Sequence, residues 1–291
     1  MPELPEVETV RAGLSPALEG RKFTSVAIRR GDLRIPFPND FVRRLTGRKV
    51  LRLWRRAKYL MAELDSGETF VIHLGMSGRL AVHAGGQEQT LGNFVYPAAP
   101  TDFGQGKHDH VLLETDAPAK IVFTDHRRFG LMTLIDTKRI DDHRLFKGLG
   151  VEPLSAKFDA GYLAAKLKGK NTPIKSALLD QRVVAGLGNI YVCEALFRMH
   201  ISPKRLAKSL SPTNCEPLVQ EIKAILKEAI AVGGSSLRDH RRTDGQMGYF
   251  QKNFFVYDRE GVPCVRRGCK GKIKRIVQAG RSTFYCSYCQ R

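Results

Sequence analysis

Residues 264–289 read CVRRGCKGKIKRIVQAGRSTFYCSYC. Cys264 and Cys269 form a C-x4-C pair, and Cys286 and Cys289 form a C-x2-C pair. Two short-spaced pairs let four thiolates converge on one tetrahedral Zn(II), an ion satisfied by four soft ligands. The stretch is too short to fold on a core of its own, so metal binding would supply its folding free energy. The expectation is a zinc-bound β-hairpin over 257–291 that holds one structural Zn(II) ion. Cys193 and Cys215 lie in segments of helical pattern and are expected to be small buried hydrophobes.

Arg266, Arg267, Lys270, Lys272, Lys274, Arg275 and Arg281 crowd the same hairpin. That much positive charge suits a phosphate backbone better than a purely structural clip. The bias runs through the whole chain: 48 Lys and Arg face 29 Asp and Glu, for a net charge of +19 over 291 residues. A molecule so basic repels itself until a polyanion neutralises it, and nucleic acid is the commonest such partner. No basic amphipathic helix argues for a membrane surface. No apolar run approaches the roughly 18 residues of a spanning helix. The opening Met1-Pro2-Glu3-Leu4-Pro5-Glu6 has neither the basic nor the apolar region of a signal peptide. A cytoplasmic protein with reduced thiols is expected.

Upstream of the hairpin the periodicity is helical. Tyr162–Leu167, Ile174–Leu179, Ile190–Met199 and Leu218–Ile230 fit it, and in the last Leu218, Ile222, Ile225, Leu226 and Ala229 share one face. Gly186-Leu187-Gly188-Asn189 before an apolar run suggests a turn with Asn189 as N-cap, and a helix N-terminus open to a phosphate. Residues 21–135 have a different rhythm. Phe23–Ile28, Val50–Trp54, Tyr59–Leu64, Thr69–Leu74, His110–Glu114, Lys120–Thr124 and Leu131–Ile135 resemble short strands, many alternating apolar with polar, as in a β-sandwich. Residues 84–107, rich in Gly, Pro, Gln and Ala, suggest a surface loop. A helix over the first twenty residues leads in, with Pro5 in its first turn and Gly20 as its stop. The predicted class is α+β: an N-terminal sandwich over 1–135, a linker over 136–157, a helical domain over 158–250 and the zinc finger.

Removal of Met1 would leave Pro2 as a free secondary amine. An α-amino pKa of about 8 keeps part of it neutral and nucleophilic. Attack on a sugar C1′ would give an iminium, which proline must hold as a cation, with Glu3 alongside as general acid. Taken alone, Pro2 and Glu3 more simply lead into a helix.

Seven segments in one order change that balance. They are Pro2–Val10, Arg55–Leu60, His73–Gly78, Lys107–Val111, Asp125–Gly130, Gly186–Tyr191 and Gly280–Cys286. Across nearly the whole chain the sequence resembles the formamidopyrimidine-DNA glycosylase family. The resemblance implies a base-excision enzyme that removes oxidised purines and cuts the strand, with Pro2 as Schiff-base nucleophile and Glu3 as acid. It implies Lys58 for β-elimination and Arg281 for δ-elimination and phosphate binding. Met76, Arg127 and Phe129 match the set that fills the void left by an everted base. His73, His108, Lys170, Lys175 and Asn189 match phosphate contacts. The helical domain would be a helix-two-turn-helix, and 233–249, ending at Tyr249, would be the loop that closes over the base. The implied partner is damaged double-stranded DNA, bound by a monomer in the bacterial nucleoid. One departure stands out: the family's first zinc pair is usually C-x2-C, and Cys264-x4-Cys269 should bulge that knuckle.

The sister group that excises oxidised pyrimidines shares Pro2, Glu3, Lys58 and the hairpin, but usually opens Met-Pro-Glu-Gly-Pro, where this chain has Leu4. A DNA-binding protein without chemistry on the same scaffold would be expected to have lost one of Pro2, Glu3 or Lys58, and all are present.

Overall fold

The computed structural model describes residues 2–291 apart from 85, 86, 88, 92, 93, 118, 236–242 and 244–249. It comprises two compact units: Met1–Lys147 with Gly233–Tyr249, and Gly148–Val232 with Phe250–Arg291.

The first unit begins with helix α1 (Leu4–Leu18), which buries Val7, Val10, Leu14, Ala17 and Leu18. Pro5 sits in its first turn, where a missing N–H costs nothing, and the chain leaves it through Gly20 at φ 73°. Strand β1 (Phe23–Ile28) and a short helix α2 (Phe41–Leu45) follow. Then come β2 (Val50–Arg56), β3 (Tyr59–Leu64), β4 (Glu68–His73), β5 (Arg79–Ala84), β6 (Gln89–Leu91), β7 (Phe94–Tyr96), β8 (Asp109–Thr115), β9 (Ala119–Thr124) and β10 (Leu131–Asp136).

Two four-stranded antiparallel sheets result, ordered β1-β8-β9-β5 and β10-β4-β3-β2. Leu60, Ala62, Leu64, Phe70 and Ile72 from one sheet share a single core with Val111, Leu113, Ile121 and Phe123 from the other, and α1 adds Val7, Val10 and Leu14. This is the expected sandwich. The expectation of a plain loop over 84–107 is corrected: β6 and β7 pair within it. Each has three residues, too few to show a period of two.

The second unit contains helices α3 (Ala160–Leu167), α4 (Ile174–Leu179), α5 (Asn189–Arg198) and α6 (Pro212–Ala231), then strands β11 (Ile273–Gln278) and β12 (Arg281–Cys286). Asp159 caps α3 by accepting the Tyr162 N–H at 2.7 Å. Ser211 caps α6, with Pro212 in its first turn. The expected stripe of α6, Leu218, Ile222, Ile225, Leu226 and Ala229, is buried. Cys193 and Cys215 are buried too.

One helix start differs from expectation. Gly188 is the N-cap of α5 and Asn189 is already helical. The Asn189 side chain does not cap; its Nδ2 donates to the Ser282 carbonyl at 2.9 Å. A tertiary acceptor for Nδ2 fixes the side chain, and local sequence cannot show that partner.

Among the described residues no helix is long and apolar enough to cross a membrane. The architecture is α+β, with sandwich, helical and hairpin parts.

Candidate active site and nucleic-acid interface

In the first unit, Pro2 and Glu3 stand at the N-terminus of α1, and both are buried. Glu3 is the N-cap of a capping box with Glu6. Glu6 Oε2 accepts the Glu3 N–H at 2.9 Å, while Oε1 accepts the N–H and hydroxyl of Ser235 at 2.8 and 2.9 Å. One buried carboxylate therefore orients the Glu3 backbone and anchors the start of the 233–249 segment. Sequence reading missed Glu6 because it looked like helix-start acidity.

Lys58 lies in the two-residue turn between β2 and β3, after Ala57 at φ 52°, and is 7% exposed. Its neighbour Arg55 is paired with Glu8 at 3.0 Å and donates to the Ala57 carbonyl at 2.8 Å. Glu8 thus balances the Arg55 charge beside Lys58, and Arg55 shapes the turn.

His73 faces Tyr59 across β3 and β4, with ring centroids 4.8 Å apart. Burial, then the charges of Lys58 and Arg34, push its pKa down to about 4. The imidazole is neutral at physiological pH. Nδ1 accepts the Gly75 N–H at 3.0 Å, so Nε2 carries the proton and is a fixed donor.

Met76 and Phe129 are 45% and 42% exposed, among the most exposed large apolar side chains of the molecule. Core packing, the commoner fate of such residues, does not explain them here. The Arg127 guanidinium lies 4.7 Å from the Phe129 ring centroid. His108 is half-buried, with its ring centroid 6.4 Å from that of His110 and 6.2 Å from that of His126. Gly75 takes φ +66°, and a Cβ there would lie 2.3 Å from the Phe129 carbonyl carbon. Glycine lets the Met76 loop press against the Phe129 backbone.

In the second unit the four cysteine sulfurs lie within 4.8 Å of one another. Cys264 and Cys289 are 3.8 Å apart, Cys269 and Cys286 3.6 Å. Four sulfurs at about 2.3 Å from a tetrahedral ion are about 3.8 Å apart, so the donor set fits a four-thiolate metal site. Burial and the neighbouring Cys286 and Cys264 push the Cys289 thiol far above its ordinary range, a crowding that a cation would relieve. The longer C-x4-C spacing is accommodated without loss of a ligand: Cys269 N–H donates to the Arg266 carbonyl at 3.1 Å and Gly268 takes φ 77°.

Arg281 is exposed and opens β12 after the tight turn Ala279–Gly280, whose two residues have φ 47° and 70°. Lys175, the expected phosphate contact, lies against the hairpin. Its side chain is fully buried and donates to Thr283 Oγ1 at 2.7 Å and the Ser282 carbonyl at 3.3 Å. It holds the hairpin next to Arg281 and presents no surface to a ligand. Lys170 is half-buried at the end of the turn after α3. Glu194 of α5 is buried and accepts the N–H groups of Phe255, Val256 and Tyr257 at 2.8–3.0 Å, fixing the chain that enters the hairpin. Only a fold can bring a helix glutamate to a segment some sixty residues on. Tyr249 lies outside the described residues, as does the 233–249 segment except Gly233, Gly234, Ser235 and Thr243.

The formamidopyrimidine-DNA glycosylase N-terminal domain matches residues 1–132, and the H2TH domain of the same family matches residues 149–241. The formamidopyrimidine-DNA glycosylases of Dinoroseobacter shibae and Rhodopseudomonas palustris are each 56% identical, with both chains fully covered. The solved structure of MutM (Fpg) from Thermus thermophilus is similar at TM-score 0.82 and 36% identity, covering 99% of this chain and 98% of that one. A Lactococcus lactis Fpg variant in complex with Fapy-dG containing DNA has TM-score 0.86 and 32% identity, with full coverage of both chains. The chain belongs to the formamidopyrimidine-DNA glycosylase family.

Proposed function

We propose that this glycosylase excises oxidised purines, 8-oxoguanine and formamidopyrimidines among them, from duplex DNA and then cleaves the strand as an AP lyase. The observation that carries the reading is the buried pairing of Pro2 and Glu3 at the head of α1, organised by Glu6 and followed by Lys58 at a buried turn. Relatives point the same way: the Lactococcus lactis complex holds Fapy-dG containing DNA, and a MutM complex holds carbocyclic 8-oxo-G containing DNA.

In this mechanism Met1 is removed, and the neutral Pro2 nitrogen attacks C1′ of the damaged nucleotide. Glu3 donates a proton to the opening deoxyribose, and the base departs with the electrons of its glycosidic bond. The cationic iminium acidifies C2′, loss of that proton expels the 3′ phosphate, and a second elimination expels the 5′ phosphate. Lys58 acts in the first elimination and Arg281 in the second. Water adds to the remaining iminium, and its hydrolysis releases the sugar fragment as an aldehyde and returns the Pro2 amine.

Met76, Arg127 and Phe129 fill the gap in the stack, their exposure being what a wedge needs. His73 through its Nε2–H, His108, Lys170 and Asn189 at the N-terminus of α5 contact phosphates, and Tyr249 closes over the base with its loop. Lys175 serves phosphate binding indirectly, through the hairpin. The cysteines hold one structural Zn(II), which takes no part in the chemistry. Residues 1–135 form the catalytic domain, 136–157 the linker, 158–250 the helix-two-turn-helix domain and 257–291 the zinc finger. The protein works as a monomer in the cytoplasm, on the nucleoid.

Borohydride trapping on a duplex with one 8-oxoguanine opposite cytosine tests the reading. A covalent band that needs the lesion and disappears in Pro2→Gly is expected. Binding without a band would mean a damage sensor without chemistry, and a band with oxidised pyrimidines alone would move the specificity to the sister group.

A further inference from the structure

A carboxylate that the proposed chemistry never touches lies between the two loops of the wedge. Asp125 is fully buried at the end of β9. Its Oδ1 accepts the Ser77 hydroxyl at 2.5 Å, and its Oδ2 accepts the Gly130 N–H at 2.8 Å. Ser77 follows Met76, and Gly130 follows Phe129. The Ser77 hydroxyl oxygen also accepts the Arg127 N–H at 3.2 Å. One buried group and one hydroxyl therefore reach the backbone or neighbour of every wedge residue.

The rest of Asp125 is equally committed. Its N–H donates to the His108 carbonyl at 3.0 Å, and its own carbonyl accepts the Arg128 N–H at 3.3 Å and faces His110 Nε2 at 2.9 Å. Gly130 is held from its other side as well, its carbonyl accepting the Arg34 N–H at 3.0 Å. Gly75, with no Cβ, permits the backbone contact that closes the arrangement.

We propose that Asp125 and Ser77 are positioning residues that lock Met76, Arg127 and Phe129 into one rigid wedge, and that eversion of a nucleotide from duplex DNA depends on this lock. The inference rests on the void-filling role assigned to those three residues. Unstacking a base step is costly, and an apolar side chain repays it only if it arrives already ordered. Both carboxylate oxygens receive a donor, so the buried charge is satisfied without solvent. In Asp125→Ala both acceptors are lost, so the Ser77 hydroxyl and the Gly130 N–H lose their shared partner. In Ser77→Ala the bridge between loops is lost while the Asp125–Gly130 bond survives.

The test compares single-turnover excision of 8-oxoguanine from a duplex with borohydride trapping on a single-stranded abasic oligonucleotide, which has no stack to fill. A 2-aminopurine beside the orphaned cytosine reports wedge insertion. For Ser77→Ala, duplex excision should slow about ten- to a hundredfold, with a smaller 2-aminopurine change. Trapping on the single strand should stay at the parental rate. Asp125→Ala should behave alike where it folds, and Ser77→Ala keeps the test decisive where it does not. Parental excision by Ser77→Ala, or equal loss on both substrates, overturns the proposal. Met76→Ala is the reference. If it slows duplex excision and Ser77→Ala does not, the lock alone fails; if it has no effect, the void-filling reading fails and takes the lock with it.

Discussion

The Lys175 ammonium lies 2.7 Å from the Thr283 hydroxyl oxygen, joining α4 to the hairpin strand that begins with Arg281. Both side chains are fully buried. A charge taken out of water must be met by fixed acceptors, and here they belong to the element that presents Arg281. Thr283→Val keeps the shape and removes an acceptor, so it should cost about 1–3 kcal/mol of stability. A urea midpoint at constant metal content checks this. An unchanged midpoint would mean that other acceptors suffice.

The four thiols should hold one zinc ion per chain, measurable by elemental analysis. Cys269→Ser, or chelation, should release the metal and unfold the hairpin, because its apolar support is a few side chains such as Ile273 and Phe284. Duplex affinity should fall at least about tenfold with the loss of the hairpin's cationic contacts. Full affinity in the metal-free protein would separate the hairpin from DNA binding.

His73 should remain neutral, with its proton on Nε2, down to a pH near 4. Its folded pKa is depressed below the unfolded value of about 6.5, so the unfolded chain binds the extra proton first. Stability from this group is complete above about pH 6.5 and is lost as pH falls toward 4, by at most about 3 kcal/mol. Nitrogen NMR of the imidazoles reads both tautomer and titration. A midpoint near 6.5 would remove the fixed donor from the phosphate-binding reading.

Arg55 is 9% exposed at its side chain and is held by Glu8 while it binds the Ala57 carbonyl. Glu8→Gln should loosen the turn that carries Lys58. The expected result is strand nicking slowed about tenfold, with base release less affected. Equal slowing of both steps would point to a general defect of α1 rather than of the turn.

Periodicity and spacing carried much of the fold. The strands of residues 21–135 and the stripe of α6 follow from which side chains avoid water, a property local sequence records directly. The metal site was legible for a similar reason, because two cysteine pairs state their chemistry in their spacing. Residues 89–96 were not legible as strands, since three-residue strands have no period to detect. Asn189 read as a cap from the turn and apolar run around it, and the Ser282 carbonyl that takes its Nδ2 lies 93 positions away, beyond the reach of a local pattern.

By itself, then, the sequence determined the α+β class, the order of sandwich, helices and hairpin, and the residues with the chemistry to react. Only the tertiary structure decided which charges are spent on holding the site. Lys175 is bonded to the hairpin, Glu6 organises the Glu3 backbone and Ser235, and Asp125 joins the two loops that carry Met76 and Phe129. The physical reason is common to the three. A side chain's charge is written in the sequence, but its partner is set by burial, which brings together groups far apart along the chain and makes each unmet donor or acceptor costly.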